Sequence, residues 1–178
     1  MTQATDDGPA VTQAPDQSKA IKPLLLMFCA ALITLAVDQF SKAAAVRYLS
    51  GGEIVSLVGS VLRFRLVRNP GAAFSMGETF TWAFTVLATG VVIGVVVMAR
   101  RIRSRAWALT LGLLAAGAAG NLADRLFRAP SFGRGHVVDF IDYGGRFVGN
   151  VADIAIVGAM LLLVFFVLRG ISLDGSRR

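Results

Sequence analysis

The sequence predicts an all-α membrane protein with four transmembrane helices and a small extracytoplasmic β element. Its mean hydropathy is +0.66, and only 16% of its 178 residues are charged, whereas soluble domains carry roughly 25% charged residues. Four charge-poor segments have the length of about 20 residues that a helix needs to cross a hydrocarbon layer about 30 Å thick. Short stretches that alternate apolar and polar residues lie between the first two segments, and these predict the β element.

The predicted spans are residues 21–45, 80–99, 106–122 and 151–168. A cleaved signal peptide is the alternative for the first span, but the apolar run is long and the chain continues amphipathically beyond it. Residues 1–20 are polar and predict a disordered cytoplasmic tail, and residues 171–178 predict a second cytoplasmic tail. Residues 21–170 then form one four-helix membrane domain.

Small residues recur at intervals of four in two of these spans. Gly90 and Gly94 lie in the second span, and Gly112, Ala116 and Gly120 lie in the third. Such spacing lets another helix approach closely. We therefore expect close helix contacts at both places.

The β element is predicted from residues 53–57 and 61–67, which alternate apolar and polar side chains on either side of Gly59 and Ser60. This pattern indicates a pair of short strands lying on the membrane surface. Asn69, Pro70 and Gly71 follow the second stretch and indicate a tight turn.

The orientation in the membrane is predicted from the density of arginines. The two sides carry equal numbers of Lys and Arg, so the count alone does not decide. One short loop between the second and third spans, however, holds Arg100, Arg101, Arg103 and Arg105, and dense basic loops are retained in the cytoplasm. Both termini are therefore predicted to be cytoplasmic, with the acidic loops outside. The basic residues form no nucleic-acid-binding motif, so nucleic acid is not an expected partner.

Residues 120–153 contain a concentration of acids that favours chemistry with carboxylates, namely Asp124, Asp139, Asp142 and Asp153. A zinc site needs three or four suitable ligands, and the single histidine, His136, has no second histidine or cysteine near it. No metal or other cofactor is therefore expected. No serine lies in a typical nucleophile context. Two carboxyl groups that share a site can divide the work, one holding a proton while the other activates water. That chemistry suits amide hydrolysis, but the spacing alone does not choose two acids among the four.

Three local expectations concern the remaining charges. Asp38 and Lys42 are four residues apart on one helix face and could form an ion pair, with an interfacial anchor as the alternative. Asp124 and its neighbour Arg125 are expected to form an interfacial ion pair. Asp142 is expected to be a solvated loop acid.

Five motifs in a fixed order resemble the lipoprotein signal peptidases (signal peptidase II), which are membrane aspartic peptidases of bacteria. The resemblance extends over about residues 38–153. The motifs are Asp38-Gln39-x-x-Lys42, Asn69-x-Gly71-Ala72-Ala73-Phe74, Gly120-Asn121-x-x-Asp124-Arg125, Val137-Val138-Asp139-Phe140 and Asn150-x-Ala152-Asp153.

The resemblance implies a site and a substrate. It makes Asp139 and Asp153 the catalytic pair of an aspartic endopeptidase. It implies that supporting or substrate-binding roles belong to Asp38, Lys42, Asn69, Gly71, Asn121, Asp124, Arg125 and Asn150. The implied substrate is a diacylglyceryl-modified prolipoprotein, cleaved just before its lipidated cysteine, and membrane lipids are further partners. The implied location is the bacterial cytoplasmic membrane, with the active site on the extracytoplasmic face.

The chain departs from the family pattern at Gly149, where the family usually has Phe, and in a short interval between Asp139 and Asp153.

Two other classes of protein are compatible with acidic residues in a membrane protein. A proton- or ion-coupled transporter predicts acids near span centres and an internal repeat, and a scaffold protein predicts that Asn is tolerated at both catalytic positions.

Overall fold

The computed structural model describes residues 18–71 and 81–177. Most of the predicted N-terminal tail and the end of the Asn69 motif, residues 72–74, lie outside the described residues. Four helices are present: α1 (Ser18–Leu49), α2 (Thr81–Ala99), α3 (Arg105–Phe127) and α4 (Val151–Leu168). Each is long and apolar enough to cross a membrane. The prediction of four helices with the length and hydropathy of membrane spans is confirmed, although α1 and α3 continue several residues beyond the predicted spans.

A four-stranded antiparallel sheet joins the helices at one end of the bundle. Its strands are β1 (Val55–Val58), β2 (Leu62–Asn69), β3 (Val137–Tyr143) and β4 (Val148–Gly149), in that spatial order. The small β element is confirmed, but the sequence predicted only its first two strands. All but the last residue of β3 is buried, so this strand has no alternation of inward and outward residues by which it could be recognised.

Helix α3 lies at the centre and packs against the other three helices. A Cβ atom at Gly112 would lie 2.7 Å from the backbone oxygen of Met27, and one at Gly120 would collide with the Asp38 carboxylate. These glycines therefore set the close approach of α1 and α3, as expected for small residues four apart. The expected contact at Gly90 and Gly94 is absent from the described part of the chain, because a Cβ added to either glycine meets no atom within 4 Å.

The opposite end of the bundle is closed by the C-terminal segment. Ile171 pairs with Arg177 in an antiparallel bridge, and Leu173 O accepts hydrogen bonds from the backbone N–H groups of Arg103 and Ser104, both at 3.1 Å. Trp107 Nε1 donates to Ile171 O at 3.3 Å. The α2–α3 loop and the C-terminal segment are thus fastened together, far along the helices from the sheet.

Candidate active site

The start of α4 is built by a reciprocal capping box between Asn150 and Asp153. The Asn150 side chain accepts a hydrogen bond from Asp153 N at 3.0 Å, and Asp153 Oδ2 accepts one from Asn150 N at 3.1 Å. Such a box satisfies backbone donors that the first turn of a helix would otherwise leave unpaired. It also fixes both side chains at the end of the span that follows β4.

Strand β3 brings Asp139 next to this helix end. Asp139 is only 2% exposed. Its Oδ1 accepts from Asn150 Nδ2 at 2.6 Å, and its Oδ2 accepts from Asn69 Nδ2 at 2.8 Å. Both oxygens are therefore held by amide donors from two different elements.

Asn121 of α3 connects this carboxyl group to Asp153. Asn121 Nδ2 donates to Asp153 Oδ1 at 2.9 Å, while its Oδ1 accepts from Asn150 Nδ2 at 3.2 Å. The amide of Asn150 thus contacts both Asp139 and Asn121. As a result, Asp139 and Asp153 are joined through two asparagines that orient their oxygens.

Asn69 is itself held by a turn that requires glycine. Its Oδ1 accepts from Gly71 N at 2.8 Å, and Gly71 has φ of 112°, a backbone conformation that glycine adopts at little cost. A Cβ at Gly71 would lie 2.7 Å from the Phe84 ring. The glycine therefore allows both the turn and the close packing that place the Asn69 amide on Asp139.

A buried lysine of helix α1, Lys42, contacts the hydrogen-bonded network of the site. Lys42 and its partners Asp38 and Asp124 are fully buried. Its Nζ lies 2.9 Å from Asp38 Oδ2 and 3.0 Å from Asp124 Oδ2, and it donates to Asn121 Oδ1 at 3.0 Å. The expected Asp38–Lys42 ion pair is confirmed, but its complete burial excludes the alternative of an interfacial anchor.

The two acids that pair with Lys42 also contact backbone groups beside the site. Asp38 Oδ1 accepts from Ala152 N in the first turn of α4 at 2.9 Å, and Asp124 Oδ2 accepts from Val138 N at 3.1 Å. Each acid therefore joins the lysine to an element that carries one of the carboxyl groups of the candidate pair. Lys42 thus contacts both elements through these acids, and it reaches Asp153 through Asn121.

The expected ion pair between Asp124 and Arg125 was wrong. Asp124 Oδ1 instead pairs with Arg128 Nε at 2.5 Å, one helical turn further on, where side chains four apart face each other. Adjacent residues point to different sides of a helix. Arg125 donates to Asn121 O at 3.3 Å and lies over the Phe84 ring at 5.5 Å.

The expectation that Asp142 is a solvated loop acid was also wrong. Asp142 lies in β3, opposite Arg63 of β2, and is fully buried. Its Oδ2 contacts Arg63 Nη2 at 2.8 Å and Arg65 Nε at 2.9 Å, and its Oδ1 accepts from Gly145 N. Burial raises the pKa of Asp142, but the Gly145 hydrogen bond and the two arginines outweigh it and lower the pKa overall. This acid stabilises the sheet and stays ionised.

Asp139 differs from Asp142 in its electrostatic surroundings. Burial is the main cause that raises the pKa of Asp139 to about 6, and the nearby charge of Asp153 raises it further. The hydrogen bonds from Asn69 and Asn150 and the charge of Lys42 oppose this shift. A carboxyl group of this kind can hold a proton near neutral pH, which an ordinary aspartate cannot.

An apolar groove of about 500 Å³ opens beside Asp153 and continues along the exposed face of α4. Ile154, Val157 and Leu161 form its wall, and Gly158 leaves it open. The Phe147 ring lies against Gly149, since a Cβ at Gly149 would be 2.8 Å from it. An aromatic ring from two residues earlier thus occupies the space beside this glycine.

The structure gathers most of the residues singled out in the sequence around one end of the bundle. Asp38, Lys42, Asn121, Asp124 and Asn150 form one continuous hydrogen-bonded network with the candidate pair, and Asn69 joins it from β2. Sequence reasoning missed Arg128 and Phe147, and it gave Gln39 no role although this residue is part of the first motif. The spacing of Arg128 four residues after Asp124 could have shown the first of these. Gln39 donates to Asp38 Oδ2 at 3.0 Å and to Gly120 O at 3.1 Å, a contact between helices that no local pattern predicts.

The fold has four helices that are long and apolar enough to cross a membrane. Carboxyl and asparagine side chains cluster at one end of these helices, and together these features define a membrane protein with a polar site at the end of its helix bundle. The family model described as signal peptidase (SPase) II matches residues 30–169. The lipoprotein signal peptidase of Rhodococcus jostii (strain RHA1) is 49% identical, with 97% of this chain and 87% of the relative covered. That of Mycolicibacterium smegmatis is 48% identical, with 97% and 73% covered.

Two solved structures of bacterial membrane enzymes have the same fold. One has a TM-score of 0.69 at 24% identity and covers 80% of this chain and 92% of that chain. The other has a TM-score of 0.67 at 25% identity and covers 82% and 89%. The chain belongs to the signal peptidase II family and is an aspartic-type membrane peptidase. The resemblance seen in its motifs is confirmed.

Proposed function

We propose that this protein removes signal peptides from diacylglyceryl-modified prolipoproteins by cleaving before the lipidated cysteine, with Asp139 and Asp153 as the catalytic pair. The observation that carries the proposal is the link between these carboxyl groups through Asn150 and Asn121, at the mouth of an apolar groove. The names of the relatives support the choice of substrate.

The two carboxyl groups have different surroundings, and this suggests a division of roles. Asp139 is almost completely buried and has a raised pKa, so it is the proposed holder of the proton. Asp153 is only partly buried and is the proposed base. It takes a proton from water as the water oxygen bonds to the scissile carbonyl carbon, while Asp139 donates its proton toward the carbonyl oxygen. Collapse of this intermediate breaks the C–N bond, and the leaving amine takes up a proton from the pair.

The proposed role of Asp139 predicts a pH dependence. Its pKa is raised to about 6, so the proton is present below this pH and lost above it, and kcat/KM should fall as pH rises through about 6. The hydrogen bond from Asn69 lowers this pKa. Asn69→Ala should therefore move the falling limb to higher pH. The measurement is kcat/KM against pH for both proteins, and a limb that moves to lower pH would contradict the assignment.

The substrate proposal is tested by cleavage with purified protein in detergent. A prolipoprotein that carries diacylglyceryl on its cysteine should be cut immediately before that cysteine, and the unmodified precursor should not be cut. Mass spectrometry of the products locates the bond. Equal cleavage of both precursors, or cleavage elsewhere, would contradict the proposed specificity.

The groove along α4 is the proposed place for the apolar part of the substrate, because it leads from the hydrocarbon region to Asp153. Gly158→Leu should fill it without strain, since a Cβ at Gly158 meets no atom within 4 Å. We expect kcat/KM to fall about tenfold or more, the size of effect that a changed hydrophobic pocket produces. Gly94→Leu is a matched control, because Gly94 on α2 is equally open. Equal activity in the two variants would exclude this groove.

The proposed orientation places both termini in the cytoplasm and the sheet with the catalytic pair outside. The support is the dense basic α2–α3 loop at the opposite end of the helices. It is tested in intact cells by labelling single cysteines with an impermeant maleimide after Cys29→Ala. Ser131→Cys, in the exposed α3–β3 loop, should be labelled, and Ser176→Cys, in the exposed C-terminal segment, should be labelled only after lysis. The reverse result would invert the topology.

A further inference from the structure

A second cavity lies at the tip of the sheet, away from the residues that join the two carboxyl groups. Its volume is about 510 Å³, and it lies between the β1–β2 turn and the β3–β4 turn. The residues that line it are Ser60, Val61, Arg63, Tyr143, Gly144 and Arg146. Tyr143 also borders the apolar groove beside Asp153, but none of the six residues belongs to the hydrogen-bonded network of the proposed catalytic pair, and the groove does not account for the two arginines.

The cavity carries more positive charge than its surroundings neutralise. Asp142 is the one acid in contact with its wall among the described residues, and this buried carboxylate already pairs with both Arg63 and Arg65. Arg63 Nε is buried and has no hydrogen-bond partner among the residues that the structure describes. Arg146 is exposed, and no ion pair holds it within the described part of the chain. An anion in the cavity would therefore meet two guanidinium groups, one of which the Asp142 contact holds in position.

The strand beside the cavity is too apolar for a surface in water. All four residues of β1 are exposed, and the large aliphatic side chains of this hairpin are between 46% and 69% exposed, namely Ile54, Val55, Leu57, Val58 and Val61. Five large aliphatic side chains are thus exposed within eight residues, and exposed apolar surface on this scale marks a contact with a membrane or a partner. The sheet is connected by short segments to helices α1 and α4, so its exposed apolar side chains lie close to the surface of the bilayer that these helices would cross.

We propose that this cavity binds the phosphate group of an anionic phospholipid, with the aliphatic side chains of the β1–β2 hairpin resting on the acyl region below it. Guanidinium groups suit phosphate because they donate several hydrogen bonds in a fixed fork. Val61 lines the cavity and is itself among the exposed aliphatic residues, so the charged and apolar parts of the site are continuous. A phospholipid offers a charged and an apolar part in one molecule, whereas free phosphate offers only the first.

The test is native mass spectrometry of the detergent-purified full chain titrated with phosphatidylglycerol. Arg146→Gln should weaken one binding event about tenfold, because it removes a charge-assisted contact. Ser60→Glu, which adds a carboxylate at an exposed turn, should weaken the same event. Arg134→Gln is the matched control, since Arg134 is an exposed arginine of the α3–β3 loop outside the cavity, and it should bind as the wild type does.

Three results would overturn the proposal. Wild-type binding in both Arg146→Gln and Ser60→Glu would show that the cavity holds no lipid phosphate. An equal loss in Arg134→Gln would show attraction by net charge alone. Displacement of the lipid by an equal concentration of inorganic phosphate would show a site for free phosphate. Thermal unfolding and prolipoprotein cleavage, measured on the same samples, should match the wild type, because neither position touches the proposed catalytic network.

Discussion

Asp139→Asn and Asp153→Asn should each lose prolipoprotein cleavage by at least about 10³-fold, the contribution that acid–base catalysis commonly makes. An asparagine keeps the shape of the side chain, and its one oxygen can still accept the hydrogen bond that Asn150 or Asn121 donates. Its NH2 group, however, faces the donor that the second carboxylate oxygen accepted from, Asn69 Nδ2 or Asn150 N. The asparagine can neither take a proton from water nor hold one for the leaving group. The initial rate of cleavage by purified protein in detergent is the quantity to compare.

A loss of activity counts only if the variants stay folded. Both should keep the gel-filtration profile of the wild type and a cooperative thermal unfolding transition, although each loses one hydrogen bond of the network. Glu53→Gln is the matched control, since it makes the same chemical change at an exposed position, and it should be fully active. Substantial activity in Asp139→Asn together with its loss in a folded Asp124→Asn would place the catalytic pair elsewhere.

Lys42→Ala should produce the largest loss of stability of any single change to the site. The substitution leaves Asp38 and Asp124 buried without the cation that lies 2.9 and 3.0 Å from them. Removing one member of a buried ion pair costs about 3–5 kcal/mol, since the remaining charge stays desolvated. The free energy of unfolding in mixed micelles measures the effect.

Lys22→Ala is the control for this substitution, because Lys22 lies in the same helix but is exposed. Its effect should stay within about 0.5 kcal/mol, as for most surface changes. If Lys42→Ala were no more destabilising than Lys22→Ala, the buried network would not support the site. Cleavage should also decline in Lys42→Ala, because Asn121 Oδ1 loses one of the two hydrogen bonds that it accepts.

The helices could be predicted from the sequence because the physical requirement is simple. A segment that crosses hydrocarbon must be long and nearly free of charge, and all four helices meet that condition. The first two strands were also predictable, from a period of two. Strand β3 was not, because side chains on both of its faces are buried and no alternation results, and because its two acids are typical of a polar loop.

The charge partners show why the site could be predicted only in part. Asp38 and Lys42 are four apart on one helix, so their pairing is local. Arg63 and Asp142 meet across two antiparallel strands and are 79 residues apart in the chain. The periodicity of the sequence does not predict such a pair, and Asp142 therefore has the sequence pattern of a solvated acid. The roles of Asp139 and Asp153 came from family motifs, and the structure adds the geometry on which their proposed chemistry depends.

The central claim is that two carboxyl groups activate water directly, without a metal and without a covalent intermediate. The most direct measurement is cleavage of a diacylglyceryl-modified prolipoprotein by the purified protein with a chelator present, in buffer that contains hydroxylamine. The account predicts an undiminished rate and a released signal peptide that ends in a free carboxylate. Loss of cleavage with the chelator, or a signal peptide that ends in a hydroxamate, would contradict it, because a hydroxamate reports a trapped acyl-enzyme.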